Sequence, residues 1–447
     1  VQWFLFGRRW LWFYTLLLGI VFISSYIAFS LGYEFHFKAL YWLFFVLVFT
    51  INFLPTLFFS LSGIVQKKSA SHLPNNIESI EFLVIIPAYN ERMVILNSVK
   101  SLLKQRTGSH YQARIVVAFN GTDDTGQIAK SHGAEVFTTP IPKCGKSAAI
   151  AYVLDQIPAV NDRYVIIIDA DNVVADDFLA NVAIACQSKK LAYQCNHQPL
   201  LASQNWVSKG LQSSYCASSR LYNLGRSQVL NSALLCGTGM VLQEGILRKL
   251  WSAVKTQTED IELNGLLSLR YNTGVTWITS AVFYDEKPDA IDVAIRQRVR
   301  WMVGHMRCAY FYSGALVRQF LRTGSLRALE LAWYYLMPFS LLISALWLLL
   351  LIPIALLGYH YDILRYQSLL LGTSLCFVLY IFILPALGYF LQQTNLPTAK
   401  RLQESALFAL YSIGFATVVW PIAILFACVS ISSTTWIFHT PHKANAH

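Results

Sequence analysis

Three groups of charged and polar residues, far apart along the chain, have types and spacings that chemistry can use. The first is Asp169-Ala170-Asp171, directly after the apolar residues 164–168. At the end of a strand, residues two apart share a face, so both carboxylates can reach one crevice. Their hard oxygens suit Mg2+ or Mn2+, and Mg2+ typically takes one or two carboxylates plus substrate phosphates. Such an ion neutralises a departing diphosphate. The second group is Thr258-Glu259-Asp260, at the start of a helical pattern that continues to residue 272. Acids in a first turn are favoured by the helix dipole in any protein. Held rigidly at a crevice, one of them can also serve as a general base. The third group is Gln297-Arg298-Val299-Arg300-Trp301, preceded by Arg296. The segment packs three arginines, a glutamine and a tryptophan into six positions. The plainer use of such a segment is a basic helix on anionic lipid, with Arg296 and Arg298 facing headgroups.

A fourth candidate is Lys146, in Lys143-Cys144-Gly145-Lys146-Ser147. A phosphate-binding P-loop would need glycine at position 140, where Pro140 stands. A helix opening at Gly145 still puts Lys146 in its first turn, where it can hold a phosphate or a base. A surface lysine is the alternative.

These groups need a common scaffold. The runs 82–91, 113–119, 134–139 and 163–169 are short, apolar and β-branched. Each is followed by polar residues and then a helical stretch, the first helix starting near Arg92. Continuous apolar strands between helices predict an α/β domain, with a mostly parallel sheet covered by helices. Ligands sit beyond the carboxyl ends of such strands. The residues there are Pro87-Ala88-Tyr89-Asn90-Glu91, Asn120-Gly121-Thr122-Asp123 and Asp169 to Asn172.

The rest of the chain is apolar. Of 447 residues, 55% are hydrophobic and 13% charged, against about 25% charged in an ordinary soluble domain. Residues 10–31, 39–65, 331–359, 366–399 and 405–442 carry no Asp, Glu, Lys or Arg. A bilayer-crossing helix needs roughly 20 apolar residues, so five spans are expected, the last two near 368–391 and 406–432. The predicted organisation is two spans in 1–65, a cytoplasmic domain in 66–288, amphipathic interfacial helices in 289–330, and about three spans with a short tail in 331–447. Pro338 and Pro353 can break the third apolar run into an interfacial piece and a span.

Basic residues near the span ends put the central domain in the cytoplasm and make the protein integral to the cell membrane. Residues 10–31 are too long for a signal-peptide core and lack a small-residue cleavage site. The net charge of +11 suits a membrane lipid surface and an anionic substrate. No separate basic, aromatic-interleaved domain points to nucleic acid. Eight cysteines without a CxxC pair read as reduced, buried thiols. No partner subunit is legible.

Taken in order, Asp169-x-Asp171, Thr258-Glu259-Asp260 and Gln297-Arg298-Val299-Arg300-Trp301 resemble the motifs of family 2 glycosyltransferases of the membrane synthase type. Cellulose, hyaluronan, chitin-oligosaccharide and poly-N-acetylglucosamine synthases belong to that group. The resemblance covers about residues 80–310 and extends to the flanking spans. It implies a GT-A-like domain inserted between transmembrane helices, and an inverting transfer that depends on Mg2+ or Mn2+. Asp171 would be the metal ligand, with Asp169 near the nucleoside. Asp260, with Glu259 beside it, would be the catalytic base. Pro87, Tyr89, Glu91, Asn120, Asp123 and Lys146 would line the donor site, and Arg300 would meet the departing diphosphate. Gln297 and Trp301 would form the acceptor floor. Residues 236–240 match a loop that lies against the donor sugar in relatives, with Gly237, Thr238 and Gly239 bordering the acceptor.

The implied product is a β-linked polysaccharide, made processively from UDP-glucose or UDP-N-acetylglucosamine and passed across the membrane. The alternatives are transfer of one sugar to a lipid, and a transport or scaffold subunit that binds a sugar nucleotide without turnover. One position departs from the pattern. Relatives carry an aspartate at the end of the second strand, where it reads uracil; here Ala118-Phe119-Asn120 stands. Phe119 offers no acceptor, so Asn120 or Asp123 takes that role or the base is read differently.

Overall fold

The structure, a computed structural model, describes residues 54–65, 78–200, 205–339 and 378–430. The expected first span, 10–31, lies outside the described residues, as do 39–53, 340–359, 368–377 and 431–432 of the others.

Helix α1 (Leu54–Ile64) precedes the α/β domain. The domain then runs β1 (Ile80–Ala88), α2 (Ile95–Leu103), β2 (Thr107–Gly108), β3 (Tyr111–Phe119), α3 (Thr125–Ser131), β4 (Glu135–Thr138), α4 (Lys146–Gln156), β5 (Tyr164–Ile167), β6 (Asn172–Val174), α5 (Phe178–Cys186) and β7 (Ala192–Pro199). Next come α6 (Trp206–Cys216), a π-helical segment (Ala217–Asn223) and α7 (Leu224–Leu230). Strand β8 (Met240–Gln243), α8 (Glu244–Trp251), α9 (Glu259–Tyr271) and β9 (Thr276–Asp285) complete it.

β1 shows why its sequence makes a central strand. Leu83 and Ile85 pack into the core cluster that holds α4, while Phe82, Val84 and Ile86 enter the cluster that holds α2 and α5. All five are essentially inaccessible to solvent. Burying each is worth about 1.5–3 kcal/mol, so the strand is fixed by two cores at once.

The sheet has nine strands in the order β2-β3-β1-β5-β8-β7-β9-β6, with β4 also on β3. β1, β3, β4 and β5 are mutually parallel, as expected. β8 runs antiparallel to β5 and β7, β7 is parallel to β9, and β6 is antiparallel to β9. β7 and β9 therefore run with β1, β3, β4 and β5, and the sheet is mostly parallel, with β2, β6 and β8 reversed. An apolar run buried on both faces carries no sign of direction, and β8 re-enters only after the long helical excursion through α6 and α7.

Register sets the site. Ala88 pairs with Phe119 and Ile85 with Ile167, so the loops after β1, β3 and β5 leave the sheet nearly level. Ile167 pairs with Met240 in the opposite direction, which lays residues 236–239 across the end of β5.

Helix α10 (Ile291–Thr323) has 33 residues and is about 50 Å long at 1.5 Å per residue. Gln297 to Trp301 lie in its second and third turns. It packs on α9, and Gly304 allows the contact: a Cβ there would lie 2.0 Å from Thr258 Oγ1. The Tyr312 hydroxyl donates to Glu262 Oε1 at 2.5 Å, and Gln319 Nε2 donates to the Ser268 carbonyl at 3.0 Å. Helix α11 (326–339 within the described residues) is held by Arg226, which is buried and donates to Glu330 and to the Ala233 carbonyl.

Helix α12 (Leu384–Gln392) follows a π-helical segment, Leu379–Ile383, and packs on α6 and α13 (Thr398–Gly414). A π-helical segment, Phe415–Val419, then joins α13 to α14 (Trp420–Ser430) without a break. The expected fifth span is divided among these three pieces. Among the described residues, no helix is long and apolar enough to cross a membrane.

Candidate active site

The loops after β1 and β3 are tied together by a side chain of the first strand-end run, to which the sequence assigned no role. Asn90 has a left-handed backbone, φ 56°, which asparagine tolerates better than most residues. Its Oδ1 accepts the N–H groups of Thr122 at 2.8 Å and Asp123 at 3.3 Å. Asp123 Oδ1 in turn accepts the Thr125 N–H at 3.0 Å, at the start of α3. Pro87 and Tyr89 are half-buried beside these groups, and Glu91 is buried. Phe119, at the position where the resemblance expected an aspartate, packs into the core below the loop. Asn120 is buried, and its Oδ1 has no hydrogen-bond partner in the structure.

The charged centre lies one loop over. Gly145 caps α4 and Lys146 opens it. Lys146 Nζ donates to Asp169 Oδ1 at 2.5 Å and to the Gly237 carbonyl at 2.7 Å, and lies 3.8 Å from Glu259 Oε1. Burial works against the ammonium, but Asp169, Glu259 and Asp260 outweigh it and hold its pKa above the usual lysine value. Ser147 Oγ donates to the other oxygen of Glu259 at 3.1 Å.

Asp260 sits beside Gly237: a Cβ on that glycine would lie 3.3 Å from Asp260 Oδ2. Gly237 also has a positive φ of 81°, so both geometry and space favour glycine there. Burial and the neighbouring Glu259 push the Asp260 carboxyl up to about 7, with Lys146 and Arg300 pulling the other way. Arg300 on α10 therefore shares the electrostatic field of Asp260.

Asp169 and Asp171 are joined through the same loop. The Asp169 N–H donates to Thr238 Oγ1 at 3.0 Å, Thr238 Oγ1 donates to Asn172 Oδ1, and Asn172 Nδ2 donates to Asp171 Oδ1 at 3.1 Å. Among the described residues, no group of three His, Cys, Asp or Glu forms a metal cage. Asp169 and Asp171 instead fit the mode in which one or two carboxylates hold the ion and substrate phosphate oxygens complete it.

Gln297 and Trp301 stand on α10 beside Arg300. Trp301 is half-buried, with the Tyr215 ring edge-on at 6.3 Å. Arg298 corrects an expectation. It does not face headgroups: only 1% of it is exposed, and its guanidinium lies over Trp301, Phe415 and Trp420 at 5.0, 5.3 and 5.7 Å. It also donates to Gln297 Oε1 at 3.0 Å. A desolvated cation over several aromatic faces gains energy that an exposed one does not. Arg296, by contrast, is exposed and pairs with Asp292 at 2.8 Å.

Behind Tyr215 lies a buried cluster absent from the expected site. Lys287 Nζ donates to Asp285 Oδ2, lies 3.0 Å from His197 Nε2, and sits 3.5 Å from the Tyr215 ring centroid. Burial and Lys287 hold the His197 pKa below its usual value. Burial opposes ionisation of Asp285, yet Lys287 and His197 keep its carboxyl well below the usual range. Residues 197, 215 and 287 stand on different elements, and no local motif announces them.

A family model described as "Glycosyl transferase family group 2" matches residues 164–430, and one described as "Glycosyl transferase family 2" matches residues 83–239. The "Probable glycosyltransferase YdaM" of Bacillus subtilis (strain 168) is 26% identical over 235 residues, which are 50% of this chain and 54% of that protein. The chain thus spans about half the length of this curated relative. Among solved structures, the mannosyltransferase PcManGT from Pyrobaculum calidifontis, in complex with GDP-Man and Mn2+, is 14% identical. It aligns over 85% of this chain and 99% of its own, with a TM-score of 0.52, and this likeness is one of fold. TarS from S. aureus is 16% identical over 49% of this chain and 39% of its own, with a TM-score of 0.34.

Proposed function

We propose a reaction for a chain that belongs to glycosyl transferase family 2: inverting transfer of a sugar from a nucleoside diphosphate to an acceptor hydroxyl. The observation that supports it is convergence. Asp169, Lys146, Glu259, Asp260 and Arg300, spread over 155 residues of sequence, interact around the loop at Gly237.

In this reading Asp260, once ionised, takes the proton of the acceptor hydroxyl as the oxygen attacks the anomeric carbon. The bond from that carbon to the diphosphate oxygen breaks in the same displacement. Glu259 keeps Asp260 basic, and Lys146 and Arg300 face the charge that develops on the leaving group. Trp301 and Gln297 carry the acceptor, and Tyr89, Asn120 and Asp123 border the nucleoside. Asp171 would hold a divalent ion, Mg2+ or Mn2+, which supplies positive charge against the departing diphosphate. PcManGT, which shares the fold, was solved with Mn2+ and a nucleotide sugar.

The finer reading is processive synthesis of a β-linked polysaccharide from UDP-glucose or UDP-N-acetylglucosamine, with the product passed across the membrane and the catalytic domain in the cytoplasm. Support comes from the charge-free stretches of the sequence. It comes also from the α13–α14 run, whose Leu410, Leu425, Phe426 and Val429 are exposed and unexplained in water.

The test uses the full chain in detergent with Mn2+ and a panel of radiolabelled UDP- and GDP-sugars. Release of the nucleoside diphosphate is expected with one donor. Product retained at a gel origin supports the polymer, and product extracted into organic solvent assigns a lipid acceptor instead. Binding of a nucleotide sugar without turnover under all conditions would leave only the non-catalytic alternative. Asp260→Asn is expected to abolish turnover with nucleotide binding nearly intact.

A further inference from the structure

We infer that Gln194 is the positioning residue that sets Asp260 against the Lys146–Asp169 pair, by clamping the loop between them. The clamp stands on geometry alone; its kinetic consequence rests on the transferase reading.

Gln194 lies on β7 with its side chain fully buried. Its Oε1 accepts the Cys236 N–H at 3.0 Å, and its Nε2 donates to the carbonyls of Thr238 at 2.8 Å and Cys195 at 3.2 Å. The two loop contacts fall on either side of Gly237. The Gly237 carbonyl receives Lys146, and the Gly237 Cα faces Asp260. One amide therefore grips the three-residue segment on which both charged groups rest.

The chemistry of the side chain matters as well as its size. It must accept at one atom and donate at the other, which a carboxylate or an apolar side chain of the same length cannot do. Removing it leaves the Cys236 N–H without its protein partner and the buried Thr238 carbonyl unpaired, and an unpaired buried group drives local rearrangement. A second amide holds the other side. Asn264 Oδ1 accepts the Leu235 N–H at 2.9 Å, and its Nδ2 donates to the Asp260 carbonyl at 2.8 Å. With the loop moored to Asp260 at its upstream end, releasing the Gln194 end lets Gly237 swing relative to the Asp260 carboxylate. Misplacing a reacting group by about 1 Å costs about a hundredfold in rate.

Three full-length proteins test this: wild type, Gln194→Leu and Cys195→Ala. Cys195 is the next residue and is buried in the core cluster that holds α2 and α5, and its backbone N–H contact to Gly239 survives truncation to alanine, so the variant controls for general destabilisation. Amide hydrogen exchange in the peptide spanning 234–240 should quicken at least tenfold in Gln194→Leu and stay as in wild type in Cys195→Ala. With the best nucleotide sugar, Gln194→Leu should lose about a hundredfold in kcat, while the Kd of the nucleoside diphosphate changes less than threefold. The acid limb of its pH–rate profile should move to lower pH, because a loosened loop lets water reach Asp260. Unchanged exchange in Gln194→Leu would remove the clamp. Faster exchange with a wild-type kcat and pH profile would remove the positioning role. Equal changes in both variants would reduce the effect to destabilisation. If wild type turns over no donor, the exchange arm still decides the clamp, and the failure belongs to the transferase reading.

Discussion

Replacing Asp260 by asparagine should stabilise the fold, and do so increasingly as the pH rises from 5 to 7. The carboxyl has an ordinary value of 3.8 and is pushed to about 7 in the folded protein by burial and by Glu259. Below about pH 4, folded and unfolded chains both hold the proton. Between about pH 4 and pH 7 the unfolded chain has released it and the folded chain has not, so stability falls as pH rises. Above about pH 7 both are ionised and the slope ends. At about 1.4 kcal/mol per tenfold change in proton affinity, the full effect is about 4 kcal/mol, and the part between pH 5 and 7 is about 2 kcal/mol. Asparagine has nearly the same shape and no charge to bury. Titrating groups away from this cluster contribute to both proteins alike, so the wild-type-minus-variant difference reads Asp260 together with its electrostatic coupling to Glu259 and Lys146. In thermal melts followed by intrinsic fluorescence, the variant's advantage should widen by about 2 °C over that window. A gap that stays constant with pH would mean that Asp260 is not held as an elevated acid in the folded state, and its assignment as a tuned base would go with it. The functional counterpart is a kcat/KM that climbs with pH to a plateau above about pH 7 in wild type, since the base must be ionised to accept a proton.

Trp301→Ala should raise the KM for the acceptor about tenfold or more and leave the donor Kd within twofold; steady-state kinetics with each substrate varied will show it, and unchanged acceptor kinetics would remove Trp301 from the site. Gly304→Ala places a methyl 2.0 Å from Thr258 Oγ1, so α10 must move off the start of α9. A loss of about 1–3 kcal/mol in denaturant melts should accompany a fall in kcat, and a wild-type melting curve would contradict the close packing. Chelation with EDTA should end nucleoside diphosphate release, and added Mn2+ or Mg2+ should restore it in wild type but not in Asp171→Asn. Restoration in that variant would place the ion elsewhere.

Much of the candidate site was legible because each component carries a local signature. An acid pair at the end of an apolar run, acids at a helix start, and an arginine–tryptophan segment can each be recognised without knowing the fold. The residues that escaped notice act through distance. Gln194 and Asn264 are single amides inside a strand and a helix, His197 and Lys287 are 90 residues apart, and their partners were invisible until the chain was folded. Arg298 was misplaced for the same reason. One arginine in a basic helix looks like any other, and only the arrival of Phe415 from the π-helical segment after α13 and of Trp420 from α14 buries it.

By itself the order of residues determined the strands β1, β3, β4 and β5 and marked the places where chemistry is proposed, because continuous apolar runs, glycine and charge act on neighbours. Strand direction beyond β5, the level at which the loops emerge, and the raised pKa of Asp260 were decided by tertiary structure. Those depend on which surfaces exclude water together, and desolvation is a property of the assembled fold rather than of any segment within it.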